Sequence, residues 1–292
     1  MFKLSFVIIG LYLISSSLGF LLQEPKLKIG SFNIQAFGQD KIGTPENVET
    51  IIKIMSRYDI LAIQEVRDST NEHVILNFVL NKLNEMLAGT GIKYNFIITG
   101  PLGASSYKEN YAYIYRETTD VSSRKIEVVK HFVYDDVENV YGRPPFIAEF
   151  RILDSQLSIK EFTLMNLHIR PSYVFSETSA FRTVVDRYQN GVEKNIAIMG
   201  DLNFDCSFIS GIKRNQVRSI ISDFTWYIND DAATTKSTSG CAYDRILINS
   251  QKFNNAVVKG SNITYYYYLD LGLTTTQAAE ISDHFPVEID IN

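Results

Sequence analysis

Apolar strand patterns and amphipathic helix patterns intermingle along this chain, with no regular strand–helix–strand repeat. Apolar and polar residues alternate over 27–33 as in a strand, and an amphipathic helix pattern follows the pair Thr44-Pro45, which is typical of a helix start. The run 196–199 is wholly apolar, as in a strand that is covered on both faces. This mixture predicts an α/β sandwich with mixed β-sheets, and no linker divides residues 20–292, so we take them as one domain.

The remaining patterns predict more strands than helices. Further strands are predicted over 59–66, 93–99, 111–116, 124–134, 145–153, 158–167, 241–249 and 281–291, and further helices over 75–87 and 181–188.

Several predicted strands end on, or are directly flanked by, an Asn, Asp, Glu or His side chain. These residues are Asn33, Glu65, His168, Asp201, Asn203, Asp244, Asp283 and His284. Any one of them has an ordinary structural explanation, such as a capped turn or an ion pair. Together they are better explained by one shared site, since strand ends meet at the edges of sheets and binding residues gather there.

The residue types at this shared site narrow its chemistry. Oxygen ligands without a Cys or His cluster favour Mg²⁺, Mn²⁺ or Ca²⁺ over Zn²⁺. His168 and His284, each with a carboxylate candidate, suit a reaction that deprotonates water and protonates a leaving oxygen. The sequence has no Gly-x-Ser-x-Gly motif, so covalent acyl transfer is poorly supported. Metal-assisted phosphodiester hydrolysis fits best, and we interpret His73 and His131 as structural.

The N-terminus has the pattern of a secretory signal peptide, which we place at residues 1–19. Lys3 is followed by the apolar run 4–14 and by a stretch of small residues at 15–19. The alternative is a transmembrane anchor, but this run is short for a span and no later segment reaches about 20 apolar residues. We therefore expect a secreted protein without a membrane anchor.

Secretion bears on the two cysteines, Cys206 and Cys241. In an oxidising compartment an even count favours one disulfide, and the alternative is two buried thiols. Asn262 opens the single N-glycosylation sequon. The net charge of -5 and the absence of a basic run argue against a polyanionic partner, although bound cations or a local basic patch reverse the field at a site.

Six motifs in order resemble the deoxyribonuclease I family over essentially the whole mature chain. They are LKIGSFNI at 27–34, IQEVRDS at 63–69, PLG at 101–103 with SYKE at 106–109, MGDLN at 199–203, CAYDRI at 241–246 and SDHFPVE at 282–288. The fourth and sixth alone indicate only the wider endonuclease/exonuclease/phosphatase superfamily, whereas the second and third are more specific. The resemblance implies a four-layer sandwich of two packed mixed β-sheets flanked by helices.

The resemblance also implies endonucleolytic hydrolysis of double-stranded DNA to 5′-phosphate and 3′-hydroxyl ends. His168 with Glu109 would be the acid pair for the leaving 3′-oxygen, and His284 with Asp244 would activate water. Mg²⁺ or Mn²⁺ and the scissile phosphate would be held by Glu65, Asp201, Asn203, Asp283 and Asn33. Which histidine is the acid and which the base stays open at this point.

The DNA contacts implied by the resemblance are Arg67, Tyr107 and Arg143. Arg67 would face phosphates and bases and Tyr107 a sugar in the minor groove, while Arg143 would add a phosphate contact. We expect a monomer. The segment 96–98 corresponds to an actin-contacting strand of the family, but an apolar strand is more often core or edge, and we do not predict actin binding.

The chain departs from the family pattern at several positions. Gln35 and Ala104 stand where the family usually has arginines, which predicts weaker phosphate anchoring and a flatter salt dependence. Pro144 and Ala233 replace acidic residues, and the segment 135–143 is short. These changes place structural Ca²⁺ sites in doubt, unless Asp136, Asp230 or Asp231 compensates.

Two rival functions remain open at this level. One is a related secreted phosphodiesterase, such as a sphingomyelinase-like or phosphatase member that shares only the metal core. Arg67, Tyr107 and the SYKE motif favour DNA over a lipid. The other is a non-catalytic binding protein on the same fold, against which the retention of both histidines and all the acids argues.

Overall fold

Two six-stranded sheets form the centre of the computed structural model, which describes residues 26–68, 70, 72–103, 107–118, 125–153, 156–236 and 240–292. The predicted signal peptide, Ala104 and Ser106 lie outside the described residues. The strands are β1 Leu27–Phe37, β2 Ile60–Val66, β3 Ile92–Ile98, β4 Asn110–Thr118, β5 Ile126–Val133, β6 Phe146–Ile152, β7 Glu161–His168, β8 Ile196–Asp201, β9 Thr225–Trp226, β10 Asp244–Ile248, β11 Ile263–Thr264 and β12 Val287–Ile291. The helices are α1 Gln39–Ile42, α2 Pro45–Ser56, α3 Val74–Met86, α4 Val174–Ser179, α5 Phe181–Gln189, α6 Gly211–Ile220, α7 Gln251–Ala256, α8 Tyr267–Asp270 and α9 Thr275–Ile281.

The two sheets repeat one pattern of strand directions. The first has the order β11-β12-β1-β2-β4-β3 and the second β5-β6-β7-β8-β10-β9. In the first, β1 and β2 are parallel and their outer neighbours β12 and β4 are antiparallel to them. In the second, β7 and β8 are parallel and β6 and β10 are antiparallel. Consequently the carboxyl ends of the parallel strands and the amino ends of their neighbours meet at the same edge of each sheet.

Three apolar clusters hold four layers together. The central cluster joins the facing sides of the two sheets, with Ile29, Tyr113, Phe150 and Ile246 among its buried members. A second cluster packs α2, α3 and α9 on the outside of the first sheet, and a third packs α4, α5 and α6 on the outside of the second. The prediction of a four-layer α/β sandwich with two mixed sheets is therefore confirmed.

Gly200 is the glycine on which the second sheet most depends. Its φ of +140° is one that side-chain-bearing residues rarely adopt, and an added Cβ would lie 1.9 Å from the carbonyl oxygen of Leu167. Because Gly200 pairs with Leu167 across the parallel strands, the next pair in register is His168 with Asp201. The glycine thus lets β7 and β8 come together where two candidate site residues meet.

Several predicted boundaries were wrong. The expected strand 281–291 starts only at Val287, because Ile281 ends α9 and the residues between form a loop. The strand expected from 158 starts at Glu161, and the one expected from 241 starts at Asp244. Helix α6 was missed. Most of its residues are polar and Val217 is its one buried residue.

Among the described residues, no helix is both long and apolar enough to cross a membrane.

Candidate active site

The candidate site lies at the sheet edge where the parallel strands end. His168 and Asp201 are the last residues of β7 and β8, and Asp244 is the first residue of β10, paired with Asp201 in register. Glu109 directly precedes β4, and His284 lies in the loop before β12. The topology thus brings together side chains that are far apart in sequence.

The first His–carboxylate pair is His284 with Asp244, both buried. The Nδ1 atom of His284 lies 2.8 Å from Oδ2 of Asp244. Burial opposes a charge on the imidazole, but Asp244 and Asp201 outweigh it and raise the pKa of His284 to about 10. The same burial raises the pKa of the Asp244 carboxyl, although His284 opposes that shift. In the protein without metal, the neighbouring acids therefore favour the protonated form of His284.

The second pair is His168 with Glu109. The Nδ1 atom of His168 lies 2.9 Å from Oε1 of Glu109, and the Glu109 side chain is fully buried. Burial opposes protonation, but Glu109 and Asp201 outweigh it and raise the pKa of His168, while the Arg143 guanidinium opposes that rise. The backbone N–H of His168 donates to the Tyr111 hydroxyl at 2.8 Å, which anchors the end of β7.

Asp201 lies between the two pairs. Its Oδ2 atom is 3.5 Å from Nε2 of His168 and 3.6 Å from Nε2 of His284. Burial opposes ionisation, but the two histidines outweigh it and hold the pKa of Asp201 below its usual range. Both Nε2 atoms therefore face one buried carboxylate. A phosphate that lay between the two imidazoles would be within reach of both Nε2 atoms.

Asn33 and Glu65 complete the oxygen-rich side of the site. The Nδ2 atom of Asn33 donates to Oε1 of Glu65 at 3.1 Å and to Oδ2 of Asp201 at 3.0 Å. Glu65 has a left-handed backbone, with φ of +62°, at a register shift between β1, β2 and β4. The backbone N–H of Ala36 donates to its Oε2 at 2.9 Å. Such strain in a non-glycine residue is typical of functional sites, and here it coincides with a carboxylate in the site.

These residues fit a hard divalent cation. Oδ1 of Asn33 is buried and has no hydrogen-bond partner among the described residues, and it lies on the side chain that joins Glu65 to Asp201. Mg²⁺ commonly binds through one or two carboxylates and keeps several waters, so such a sparse set is sufficient. Asp201, Asp244 and His284 also have ligand-type atoms close together. Asp201 belongs to both groups of possible ligands.

The two other predicted metal residues lie differently. Asn203 is buried, and its Nδ2 atom donates to the Ile169 carbonyl at 2.9 Å, while its backbone N–H donates to Oδ1 of Asp201 at 3.0 Å. Asp283 has a half-exposed side chain whose Oδ1 atom is 3.9 Å from Nε2 of His284. Asn203 thus fixes the loop behind Asp201, and Asp283 lies at the open side of the site.

The predicted DNA contacts Arg67 and Tyr107 lie against each other at the surface. The Arg67 guanidinium is 4.2 Å from the centre of the Tyr107 ring, and Tyr107 is exposed to solvent. Beside Arg67 is a depression of about 420 Å³, bordered by Gln35 and Lys41 among others. Burial lowers the pKa of Lys41 to about 8, although Asp283 and Glu65 partly oppose this.

Arg143, the third predicted DNA contact, points inward. Only 10% of its side chain is exposed, and its Nε atom lies 3.3 Å from Oε1 of Glu109. Nε and Nη2 also donate to the His168 carbonyl, at 3.2 and 3.1 Å. The guanidinium therefore contacts both members of one pair.

The predicted disulfide between Cys206 and Cys241 is confirmed, with a Cα–Cα distance of 5.8 Å. Cys206 follows the Asp201 loop and Cys241 precedes Asp244, so the bridge joins two segments of the site. Asp205 strengthens this junction by accepting from the backbone N–H of Ala242 at 2.9 Å.

Other predicted features lie away from the site. The Asn262 side chain is partly buried and donates to the Tyr227 carbonyl at 2.8 Å. The rings of His73 and His131 pack edge-on against Phe96 and Phe146.

The possible calcium residues have protein partners. Asp230 lies 2.6 Å from Arg218, 3.0 Å from Arg245 and 3.6 Å from Arg214. Three cations around one carboxylate oppose a Ca²⁺ ion there. Asp136 accepts from the backbone N–H of Tyr141 at 2.7 Å and thereby shapes its own turn, and Asp231 is exposed.

Two groups of residues that support the site were not predicted from the sequence. The Ser282 hydroxyl donates to the Asn33 carbonyl at 2.6 Å and accepts from the backbone N–H groups of Gln35 and His284, both at 3.1 Å. Between the sheets, Gln64 donates to Asn166 at 2.6 Å. Polar residues inside otherwise apolar strands were the available signal for Gln64 and Asn166.

Comparison with known proteins gives relatives over nearly the whole length. Residues 30–284 match the model of the Endonuclease/Exonuclease/phosphatase family. The chain is 34% identical over 270 residues to Deoxyribonuclease-1 of Bos taurus and of Homo sapiens, in each case covering 90% of this chain and 91% of the relative. Deoxyribonuclease-1-like 2 of Mus musculus is 34% identical over 268 residues, covering 90% of this chain and 91% of the relative.

Solved structures give the same fold at low identity. TDP2 of D. rerio complexed with a single-strand DNA product has a TM-score of 0.57 at 16% identity, and covers 91% of this chain and 99% of that one. The human Nocturnin catalytic domain has a TM-score of 0.58 at 15% identity, with 92% and 95% covered.

Proposed function

Since the chain belongs to the endonuclease/exonuclease/phosphatase family and, within it, to the deoxyribonuclease I family, we propose that it is a secreted, divalent-metal-dependent endonuclease that hydrolyses double-stranded DNA. The observation that carries this proposal is the convergence of two His–carboxylate pairs on the buried Asp201. A phosphodiester needs one proton removed from water and one delivered to the leaving oxygen, and the site offers two imidazoles for these tasks.

The two histidines act through their Nε2 atoms, because each Nδ1 is bonded to a carboxylate. In the proposed reaction, Nε2 of His284 takes a proton from water while the water oxygen attacks phosphorus. The bond from phosphorus to the 3′-oxygen breaks, and Nε2 of His168 gives that oxygen a proton. The products are a 5′-phosphate and a 3′-hydroxyl. Asp244 and Glu109 orient the rings and stabilise their protonated forms.

Asn33, Glu65 and Asp201 would hold Mg²⁺ or Mn²⁺, with Asn203 supporting Asp201 and Asp283 at the open side of the site. A bound cation would supply positive charge that stabilises the reacting phosphate and opposes protonation of His284. The latter matters because Asp244 and Asp201 raise the pKa of His284 to about 10, and a protonated imidazole is not a base. The carboxylate of Asp230 is paired with arginines and is not part of this proposal.

DNA binding rests on Arg67 and Tyr107, which form one exposed cation–aromatic pair beside the site. This pair suits a sugar and phosphate at the edge of a groove, with Arg67 neutralising phosphate charge and Tyr107 packing on the sugar. We propose secretion after cleavage near residue 19, glycosylation at Asn262 and a monomeric state, and we propose no actin partner.

Plasmid nicking tests the proposed function. Purified protein is incubated with supercoiled plasmid in Mg²⁺ or Mn²⁺, with and without Ca²⁺, and in EDTA. We expect conversion to the nicked form with either metal and none in EDTA, and cleaved ends that are ligatable without added kinase because they carry 5′-phosphates. Arg67→Gln is expected to weaken DNA binding while leaving the histidine pairs intact.

The proposed function fails if the folded protein leaves plasmid intact across all metals and salt concentrations. Cutting that persists unchanged in EDTA would overturn the metal dependence alone. A short synthetic phosphodiester without bases separates the alternatives further, since a general phosphodiesterase would cut it as fast as it cuts plasmid.

A further inference from the structure

Arg143 belongs to a chain of contacts that runs away from the DNA-facing side. Its guanidinium lies between Glu109, at 3.3 Å, and the His168 carbonyl, at 3.1 to 3.2 Å. Glu109 is fully buried and His168 nearly so, so these contacts are formed in a setting that water screens weakly. The Nε and Nη2 atoms of Arg143 are therefore directed at the pair.

The residue before Arg143 is anchored from the far side by Glu177 of α4. Glu177 is fully buried, and its Oε1 atom accepts from the backbone N–H of Gly142 at 3.1 Å and from Nε of Arg170 at 3.1 Å. Arg170 covers Gly142 so closely that an added Cβ would lie 2.0 Å from its Nε atom. The backbone that carries Arg143 is thus held by a buried carboxylate and a covering arginine.

We propose that Arg143 is a positioning residue for the His168–Glu109 pair, held by Gly142, Arg170 and Glu177, and that it does not bind a DNA phosphate. Its Nε atom approaches the same Oε1 atom of Glu109 that is bonded to Nδ1 of His168, and its guanidinium also ties down the backbone of His168 at the end of β7. This inference rests on the proposed function, because the pair positions a proton donor only if the chain hydrolyses a phosphodiester.

A phosphate contact and a positioning role differ in their response to salt. Each phosphate contact that a cation makes contributes about 0.9 to the slope of log affinity against log salt. Arg143→Gln, Arg143→Lys and Gly142→Ala are compared with Arg67→Gln, the matched loss of a proposed surface contact. We expect Arg67→Gln to reduce the slope by about 0.9, which corresponds to one phosphate contact. The other three variants should leave the slope unchanged.

The rate response supplies the positive test. We expect Arg143→Gln to lower kcat by about 10- to 100-fold with KM within twofold, because a small misplacement of a proton donor costs that much. Arg143→Lys restores part of the loss, and Gly142→Ala, which touches neither DNA nor the pair, reproduces part of it. A substrate with sulfur in place of the bridging 3′-oxygen needs no proton donor, so on it the Arg143→Gln defect should disappear. A merely structural defect would persist.

The outcomes separate the inference from the proposed function. If wild-type protein does not cut DNA, the proposed function fails before any variant is compared. If it cuts, and Arg143→Gln flattens the salt slope or keeps its defect on the sulfur substrate, the positioning role is overturned. Unchanged kcat in Gly142→Ala would refute the anchor. Circular dichroism and melting curves establish whether each variant is folded. If Arg143→Gln does not fold, Arg143→Lys takes its place in the same comparison.

Discussion

The two His–carboxylate pairs have nearly the same geometry but different surroundings. His284 and Asp244 are 2.8 Å apart and His168 and Glu109 are 2.9 Å apart, and both Nε2 atoms lie about equally far from Asp201. Beside Glu109 lies the cation of Arg143. Near Asp244 lies a covalent link, the Cys206–Cys241 disulfide.

This difference affects the proton affinity of each histidine. Arg143 opposes the rise in the pKa of His168, whereas the causes that raise the pKa of His284 are three acids, Asp244, Asp201 and Asp283. A proton donor works best when its imidazolium is not too stable, and a cation beside it favours release. The comparison therefore agrees with His168 as the acid and with His284 as a base that depends on a nearby cation.

The largest expected effect is the loss of either histidine. We expect His168→Ala and His284→Ala each to lower kcat by about 10²- to 10⁴-fold with little change in KM, because proton transfer is lost but DNA contacts remain. His131→Ala is the matched control, since its ring packs against Phe146 on an outer strand pair. Plasmid nicking with Mg²⁺ measures all three. Retained activity in either site variant would contradict the acid–base assignment.

The disulfide is the next feature to test, because it joins the segment after Asp201 to the segment before Asp244. We expect Cys206→Ala with Cys241→Ala to lower the free energy of unfolding by about 4 kcal/mol on the chain-entropy estimate, and to lower kcat as the Asp201 and Asp244 segments loosen. Urea unfolding and nicking rates measure the two effects. A folded double variant with full activity would show that the bridge does not couple to the site.

Asp244→Asn tests the source of the high proton affinity of His284. In metal-free protein we expect this variant to lower the pKa of His284 from about 10, as followed by NMR titration, with Glu109→Gln as the matched change at His168. Since the folded pKa exceeds the unfolded value of about 6.5, the pair stabilises wild-type protein fully below that pH, and the stabilisation is lost between it and about 10. Urea unfolding of metal-free protein should show this loss in wild type and little of it in Asp244→Asn. An unchanged His284 titration would refute the assignment of Asp244.

Gln35→Arg has the smallest expected effect and acts outside both pairs. Gln35 borders the depression beside Arg67, so an added guanidinium there should gain about one phosphate contact and steepen the salt slope by about 0.9. Gln35→Glu is the matched control and should weaken binding. Fluorescence anisotropy with duplex DNA at several salt concentrations measures both, and equal slopes for Gln35→Arg and wild type would contradict the prediction.

The positions of most site residues could be predicted because strand ends are visible in the sequence. Apolar runs locate β2, β7 and β8, and the polar residues at or next to their ends are Glu65, His168 and Asp201. Local periodicity is sufficient to predict this placement, because neighbouring parallel strands bring their carboxyl ends to the same edge of a sheet. The intermixed strand and helix patterns also indicated an α/β sandwich with mixed sheets, whereas the four layers were expected from the family resemblance.

Features that depend on tertiary context could not be predicted. The left-handed backbone of Glu65 has no local signal, because glutamate does not favour that conformation and the surrounding strands impose it. The inward direction of Arg143 depends on Glu177, which is distant in sequence. The hydroxyl of Ser282 joins β1 to the His284 loop, and a serine before an Asp-His pair does not reveal that partner.

The division of labour between the two pairs can be measured directly with a DNA substrate in which sulfur replaces one bridging 3′-oxygen. A thiolate leaves without a proton, so only the loss of the acid should be rescued. We predict that His168→Ala cuts this linkage at nearly the wild-type rate, while His284→Ala remains as slow as on ordinary DNA. Rescue of His284→Ala instead would reverse the two roles, and rescue of neither variant would contradict acid–base catalysis by this site.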